Sequence, residues 1–252
     1  MSTALRMLAA WAALCSALSG GGAAAGGTSC GAGTFEDVPF SYCEVTPADG
    51  TLRVWHTAPD GLIFGTFERL RSALQSSGET LLFAMNGAMY HEDRAPVGLY
   101  IEDGTEHVPL VTRDGPGNFG LLPNGVFCVT ASDVRVIETL RFAKERPDCR
   151  FATQSGPMLV IDGALHPRFL ADGTSRNIRN GVGVRPDGTA VFVISDAPVN
   201  FHRFARLFRD AMGTPNALYI DGKVSRLYAP ALGRRDIGFP LGPIVGAVSP
   251  AQ

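Results

Sequence analysis

Residues 179–196 read Arg-Asn-Gly-Val-Gly-Val-Arg-Pro-Asp-Gly-Thr-Ala-Val-Phe-Val-Ile-Ser-Asp. Two short runs rich in β-branched residues, 181–184 and 190–194, flank the turn dipeptide Asp187-Gly188. Asp-Gly favours the tight turns of β-hairpins because both residue types tolerate positive φ. The stretch therefore predicts a β-hairpin with polar residues at its two outer ends.

The same turn chemistry recurs along the chain. Asp-Gly occurs eight times and Asn-Gly three times. A second hairpin is predicted from runs 97–101 and 107–111, which flank Asp103-Gly104, and a strand at 158–161 ends at another Asp-Gly turn. The chain is therefore predicted to be rich in β-structure.

Three segments favour helix. Thr66 can cap a helix that ends at Gly78, and Asn200 can cap a stronger one that ends near Gly213. A weaker helix spans 139–146. In the second helix, apolar residues at helical spacing predict a core-facing stripe of Phe201, Phe204, Ala205, Phe208 and Met212. Helices mixed with hairpins predict an α+β fold, a β-rich single domain with mixed sheets and two to three packed helices.

Residues 1–25 have the composition of a signal peptide. Arg6 gives a positive start, an apolar run follows at 7–18, and Ala23-Ala24-Ala25 matches the small-residue cleavage pattern. The apolar run is too short to span a bilayer, and no later run is transmembrane in character. We therefore expect cleavage near Ala25, export to the periplasm or the medium, and a single domain over residues 26–252.

Four cysteines follow residue 25: Cys30, Cys43, Cys128 and Cys149. An even number in an oxidising compartment predicts two disulfides. Three pairings are possible, and Cys30 with Cys43 and Cys128 with Cys149 is favoured because each pair brackets a short segment. Zinc binding is the alternative, but neither a C-x-x-C motif nor a histidine spacing supports it.

Composition and motifs disfavour several functions. The net charge of −2 argues against bulk electrostatic binding to nucleic acid. The sequence has no P-loop and no G-x-S-x-G elbow, and its five histidines show no metal-ligand spacing. We therefore expect no metal or organic cofactor, and neither a conventional triad hydrolase nor a metal hydrolase.

Small polar segments lie beside the predicted strands, and polar groups at strand ends often build a shared pocket on a rigid sheet. Four of them occur in the order Asn86–Tyr90, Ser155–Pro157, Arg179–Gly183 and Asp221–Ser225. In this order they resemble the phosphodiester glycosidase family, which includes the N-acetylglucosamine-1-phosphodiester α-N-acetylglucosaminidase or "uncovering enzyme". The first segment departs from the family pattern by lacking a second glycine and an aromatic pair. In the last segment Lys223 and Val224 replace glycines.

The resemblance implies a hydrolase that converts a sugar 1-phosphodiester into free sugar and a phosphomonoester. Arg179 is the candidate phosphate ligand, since a guanidinium binds two phosphate oxygens at once. Asp221 is the candidate base or stabiliser of oxocarbenium-like charge, with Asp196 as the second carboxylate. The other predicted substrate-binding residues are Asn86, Gly87, Gln154, Ser155, Gly156, Asn180, Asn200, Gly222 and Ser225.

These residues also have structural interpretations. Asn86-Gly87 and Asp221-Gly222 are common turn dipeptides, Asn200 is a helix cap, and Arg176 and Arg226 are alternative phosphate ligands. Two other functions stay open. One is a non-catalytic envelope module that binds phosphorylated or anionic glycans, and the other is a phosphodiesterase that cuts the phosphate side.

Overall fold

The computed structural model describes residues 27–46 and 51–249, so the predicted signal peptide lies outside the described residues. The strands, numbered in chain order, form three sheets. Sheet A runs β1 (Thr28–Phe35), β2 (Val38–Val45), β13 (Ala190–Ser195), β12 (Asn180–Val184), β14 (Asn216–Asp221), β10 (Met158–Ile161) and β11 (Ala164–Leu165). Sheet B runs β16 (Arg234–Arg235), β15 (Leu227–Ala229), β4 (Thr80–Asn86), β17 (Ile244–Ser249) and β3 (Leu52–Trp55). Sheet C runs β6 (Thr105–Val108), β5 (Tyr100–Glu102), β9 (Phe151–Ser155), β7 (Gly125–Val129) and β8 (Val134–Glu138).

The α+β, β-rich fold is confirmed, but the expectation of mixed sheets is wrong. Within the described ranges, all ladders between the named strands are antiparallel. Short turns account for the pairs of consecutive strands, such as β1–β2 and β12–β13, because a tight turn can join only antiparallel strands. Other ladders pair strands that are distant in the chain, such as β2 with β13, and the turn residues do not explain their direction. The predicted hairpin at 181–194 forms β12 and β13, with Gly181 opposite Val193.

The predicted helices are present with their caps. They are α1 (Phe67–Ser76), α2 (Thr139–Glu145) and α3 (Phe201–Arg206). The Thr66 side chain accepts a hydrogen bond from the backbone N–H of Arg69, and the Asn200 side chain accepts one from Arg203. The third helix continues as one π-helical turn at Leu207–Ala211, and a 3₁₀ turn follows later at Pro230–Leu232.

The main core lies where the three sheets face one another. Phe83 of sheet B, Phe127 of sheet C and Phe192 of sheet A are buried, and Phe192 contacts the other two rings at centroid distances of 5.0 and 5.6 Å. Burial of each such ring contributes about 1.5–3 kcal/mol. This core fixes the strand ends of sheets A and B next to each other.

Both favoured disulfides are present. Cys30 and Cys43 lie opposite each other on β1 and β2, and Cys128 on β7 is bonded to Cys149. The long helix that a membrane span requires does not occur in the described part of the chain.

Candidate active site

A cavity of about 510 Å³ opens at the ends of β4 and β14. We call it the candidate pocket. Its apolar wall comes from residues near β4 and from the 116–119 segment, including Met89, Tyr90 and Phe119. Its polar surface comes from the end of β14, with Tyr219 and Asp221 buried and Lys223 exposed. One wall is therefore suited to an apolar group and the other to a charged one.

Asp221 ends β14 with its carboxylate oriented by its own turn. Its Oδ1 accepts hydrogen bonds from the backbone N–H of Lys223 at 2.6 Å and of Val224 at 3.2 Å. Asp221 is 9% exposed. Burial raises the pKa of its carboxyl above the ordinary value, and the two N–H donors oppose that shift. The Asp-Gly turn thus holds a largely desolvated carboxylate at the pocket.

Arg179 is fully buried and has no ion-pair partner among the described residues. Its Nε donates to the Val199 carbonyl at 2.8 Å, and its Nη2 donates to the Ser175 carbonyl at 3.0 Å. Its Cζ lies 3.7 Å from the centroid of the Phe201 ring. Nη1 is buried and has no hydrogen-bond partner within the described ranges.

The unpartnered Nη1 of Arg179 points to a function because burying a cation lowers the stability of a fold. Burial lowers the pKa of the Arg179 guanidinium, yet arginine stays charged at neutral pH because its ordinary pKa exceeds ~12. An uncompensated buried charge destabilises a fold by several kcal/mol. A group kept in that state is a candidate for binding an anion.

Gly222 brings the free donor next to the pocket. A Cβ built on Gly222 would lie 2.2 Å from the Tyr219 hydroxyl oxygen and 3.5 Å from Nη1 of Arg179. The two donors therefore lie on the same side of the Gly222 backbone, which lines the pocket. A larger residue at 222 would overlap the Tyr219 hydroxyl and lie against Nη1 of Arg179.

Three predicted substrate-binding residues form an interior network that we call the amide bridge: Asn86, Asn180 and Ser225. Asn86 Nδ2 donates to Asn180 Oδ1 at 3.2 Å, and Ser225 Oγ donates to the same oxygen at 3.2 Å. The Oδ1 of Asn86 accepts from the backbone N–H of Arg226. Both asparagines are fully buried. The amide bridge thus joins β4 of sheet B to β12 of sheet A and holds the segment that follows Asp221.

Four further predicted residues lie outside the pocket lining. Gln154 Oε1 accepts from the backbone N–H groups of Leu99 and Val111, and Ser155 Oγ donates to the Ile220 carbonyl. Gly87 and Gly156 allow close packing, since a Cβ would lie 2.8 Å from Val245 N and 2.5 Å from Asn124 Cβ, respectively. These groups connect neighbouring strands.

The remaining candidates are engaged elsewhere. Asp196 is ion-paired with Arg234 and accepts a hydrogen bond from Ser41 Oγ at 2.8 Å. Asn200 caps α3 and donates to the carbonyls of residues 171 and 173. Arg226 lines a second cavity, of about 360 Å³, beside the start of α1. The catalytic role of Asp196 and the substrate contact of Asn200 stay predictions.

Sequence reasoning did not select Tyr219 or Tyr90. Tyr219 looks like an apolar strand residue, yet it lies two residues before Asp221, and residues i and i+2 of a strand share a face. This alternation could have identified Tyr219 as a neighbour of Asp221 on the same face of the strand. Tyr90 donates its hydroxyl to the Pro240 carbonyl at 3.0 Å. Its pKa is raised by burial and by the negative charge of Asp221.

Together, the buried carboxylate and the free guanidinium donor define a candidate site for an anionic substrate. Residues 79–235 match the model of the phosphodiester glycosidase family. The uncharacterized protein YigE of Escherichia coli (strain K12) is 38% identical over 184 residues, which cover 73% of this chain and 72% of YigE. The chain belongs to the phosphodiester glycosidase family.

Two solved structures share the fold. The catalytic domain of zebrafish N-acetylglucosamine-1-phosphodiester α-N-acetylglucosaminidase, auto-inhibited by its pro-peptide, has a TM-score of 0.60 at 13% identity and covers 88% of this chain and 82% of that one. A hypothetical protein from Synechocystis has a TM-score of 0.56 at 13% identity, with 88% and 61% coverage. At such identities the likeness concerns the fold alone.

Proposed function

We propose that this protein is an exported hydrolase that cleaves the glycosidic C–O bond of a sugar 1-phosphodiester, with an N-acetylglucosamine-1-phosphodiester as the reference substrate. The products are a free sugar and a phosphomonoester. The observation that carries the proposal is the pocket lined by the buried Asp221 carboxylate and by Gly222, beside which the unpartnered Nη1 of Arg179 is buried. The membership of the family and the zebrafish enzyme's fold support the same reaction class.

Arg179 binds the phosphate in this proposal. A phosphodiester carries one negative charge, and the leaving phosphate gains a second as the C–O bond breaks. The contact with Nη1 therefore strengthens between the ground state and the transition state, which is the condition for catalysis. Phe201 and the Val199 and Ser175 carbonyls hold the guanidinium in advance, so little reorganisation is needed during the reaction.

Asp221 acts as the base toward water. Its ionised carboxylate takes a proton from the water molecule whose oxygen bonds to the anomeric carbon. The electrons of the broken C–O bond go to the phosphate oxygen, which leaves as the phosphomonoester. A phosphate leaving group needs little protonation, so the proposal requires no second carboxylate and assigns no step to Asp196.

The apolar wall accommodates the organic part of the substrate. Tyr90, Phe119 and Met89 line the pocket opposite the charged groups, and ligand sites commonly combine such surfaces with a few oriented polar groups. The two disulfides support export, because disulfides persist mainly in oxidising compartments.

The test is product identification. The full chain, expressed with export so that both disulfides form, is incubated with N-acetylglucosamine-1-phospho-mannose, and the products are identified by mass spectrometry. Free N-acetylglucosamine together with mannose phosphate is the expected result. Reaction in ¹⁸O-labelled water should introduce the label into the sugar, because water attacks carbon.

Each alternative has a distinct outcome. A phosphodiesterase would instead release N-acetylglucosamine 1-phosphate and free mannose, with the label in the phosphate. Saturable binding of the substrate without turnover, unchanged by Asp221→Asn, would replace the glycosidase by a glycan-binding module. Arg179→Ala serves as the matched loss-of-binding variant in all three cases.

A further inference from the structure

We infer that the Tyr219 hydroxyl and Nη1 of Arg179 act together as a two-donor clamp on one phosphate group, so that Tyr219 contacts the substrate directly. This inference rests on the proposed function and extends it by a residue outside the predicted set. It assigns the phosphate position to the part of the pocket at Tyr219.

The two donors lie side by side. Both are within 3.5 Å of the single point that a Cβ of Gly222 would occupy. The Tyr219 hydroxyl also has the side chains of Arg179 and Asn118 beside it. Tyr219 lines the pocket, whereas most of its ring is buried at 1% exposure. The hydroxyl and Nη1 are therefore neighbours beside the Gly222 backbone, and a phosphate group bound at the pocket end of Tyr219 would lie next to both donors.

One aromatic ring supports both members of the clamp. Phe201 packs flat against the Arg179 guanidinium, and its ring meets Tyr219 edge-on at 4.8 Å. Behind it, Phe169 stacks on Phe201 at 5.0 Å and His166 stacks on Phe169 at 4.7 Å. The stack fixes the guanidinium plane and the phenol together, so the distance between the two donors does not depend on the substrate.

The protonation states suit an anion. Burial, above all, raises the pKa of the Tyr219 phenol, so the hydroxyl keeps its proton and can donate it in a hydrogen bond. Arg179 has donors and no acceptor. The clamp therefore selects a phosphate group over a neutral sugar hydroxyl.

The test removes one oxygen atom. Tyr219→Phe keeps the ring that packs on Phe201 and deletes the donor. Binding of inorganic phosphate is measured by isothermal titration calorimetry, and turnover of N-acetylglucosamine-1-phospho-mannose is measured in parallel. We expect phosphate affinity and kcat/KM each to fall by about tenfold or more, as for a lost hydrogen bond to a charged group. Circular dichroism and the Tm verify folding.

Two further variants sharpen the test. Tyr228→Phe makes the same change at a buried tyrosine that lines the second cavity, and it should leave phosphate affinity unchanged. Gly222→Ala places a methyl group 2.2 Å from the Tyr219 hydroxyl oxygen, so it should displace that hydroxyl and weaken phosphate binding although the donor is still present. A loss of affinity in Tyr228→Phe as large as in Tyr219→Phe would overturn the clamp.

The outcomes separate this inference from the proposed function. Phosphate affinity in Tyr219→Phe within twofold of the wild-type value overturns the clamp, even where the glycosidase products appear. Phosphate binding that depends on Tyr219, without any turnover of sugar phosphodiesters, supports the clamp and contradicts the proposed reaction.

Discussion

The polar residues at the ends of sheets A and B fall into two groups that look alike in sequence. The amide bridge of Asn86, Asn180 and Ser225 satisfies its side-chain hydrogen bonds within the protein. The second group consists of Asp221 in the pocket lining and Arg179 buried beside Gly222, and it keeps a donor without a hydrogen-bond partner and a carboxyl with a raised pKa. A polar residue at a strand end is therefore a site candidate when its hydrogen bonds are incomplete, not merely because it is polar.

The largest expected effect is a loss of kcat/KM on substitution of Asp221, which would distinguish a catalytic role from a structural role in the turn. Asp221→Asn keeps the Oδ1 acceptor of the turn but removes the proposed base, so kcat/KM should fall by ~10²–10⁴-fold. The folded state raises the pKa of this carboxyl, so folding disfavours its ionised form at neutral pH, and a neutral replacement should not lower Tm there. Steady-state kinetics and thermal unfolding check both points.

The control for that variant is Asp162→Asn, which changes the exposed aspartate of another Asp-Gly turn. Its surface ion pair with Arg141 contributes at most about 1 kcal/mol, and activity should be unchanged. A large drop in Tm for Asp221→Asn, with kcat/KM preserved, would move Asp221 into the structural group.

The amide bridge should show the opposite pattern. Asn180→Ala leaves Asn86 Nδ2 and the Asn86 carbonyl without their partner in the interior. The free energy of unfolding should fall by about 2 kcal/mol, and Tm by about 4–8 °C for a chain of this size. Thermal unfolding measures the change. At a temperature where the variant is folded, KM should change less than twofold.

Asn177→Ala is the matched control, because Asn177 is an exposed asparagine three residues upstream. Its Tm should stay close to the wild-type value. A strong rise in KM for Asn180→Ala without loss of stability would place Asn180 among the substrate-binding residues. It would contradict the structural role given to the amide bridge.

The smallest effect concerns the pH dependence of the pocket. In the proposed reaction Asp221 acts in its ionised form, so kcat/KM should fall as pH drops through its raised pKa. Lys223 lowers that pKa through its positive charge. Lys223→Ala should therefore shift the acid limb of the kcat/KM profile to higher pH, with the plateau rate retained. Lys144→Ala, which removes the chain's other lysine from an exposed position on α2, should leave the profile unchanged.

Local chemistry was predictable from the sequence. Thr66 and Asn200 cap helices because a short polar side chain can reach the first free N–H groups. The hairpin around Asp187-Gly188 and both disulfides also join segments that are close in the chain. Each of these features depends on residues within about one supersecondary unit.

The sequence did not predict which buried polar side chains would find hydrogen-bond partners in distant parts of the chain. Asn86 and Asn180 are 94 residues apart and satisfy each other, so a local pattern cannot distinguish them from ligand-binding amides. Tyr219 was not selected because its side chain is apolar except for the hydroxyl group. Only the fold shows that this hydroxyl lies beside Arg179 and Gly222. Resemblance to the family selected Asp221 among eight Asp-Gly pairs, and the buried position accords with that choice.

The position of β17 has a consequence for how the chain reaches its folded state. Residues 244–249 form an inner strand of sheet B, paired with β4 on one side and β3 on the other. Until residues 244–249 are available for pairing, β4 and β3 therefore have no strand between them and sheet B is incomplete. In a chain that crosses a membrane amino end first, the pocket-forming end of β4 would gain its neighbour only after nearly the whole sequence has passed. On the proposed export route, sheet B would therefore be completed only after transport, and the proposed site would form last.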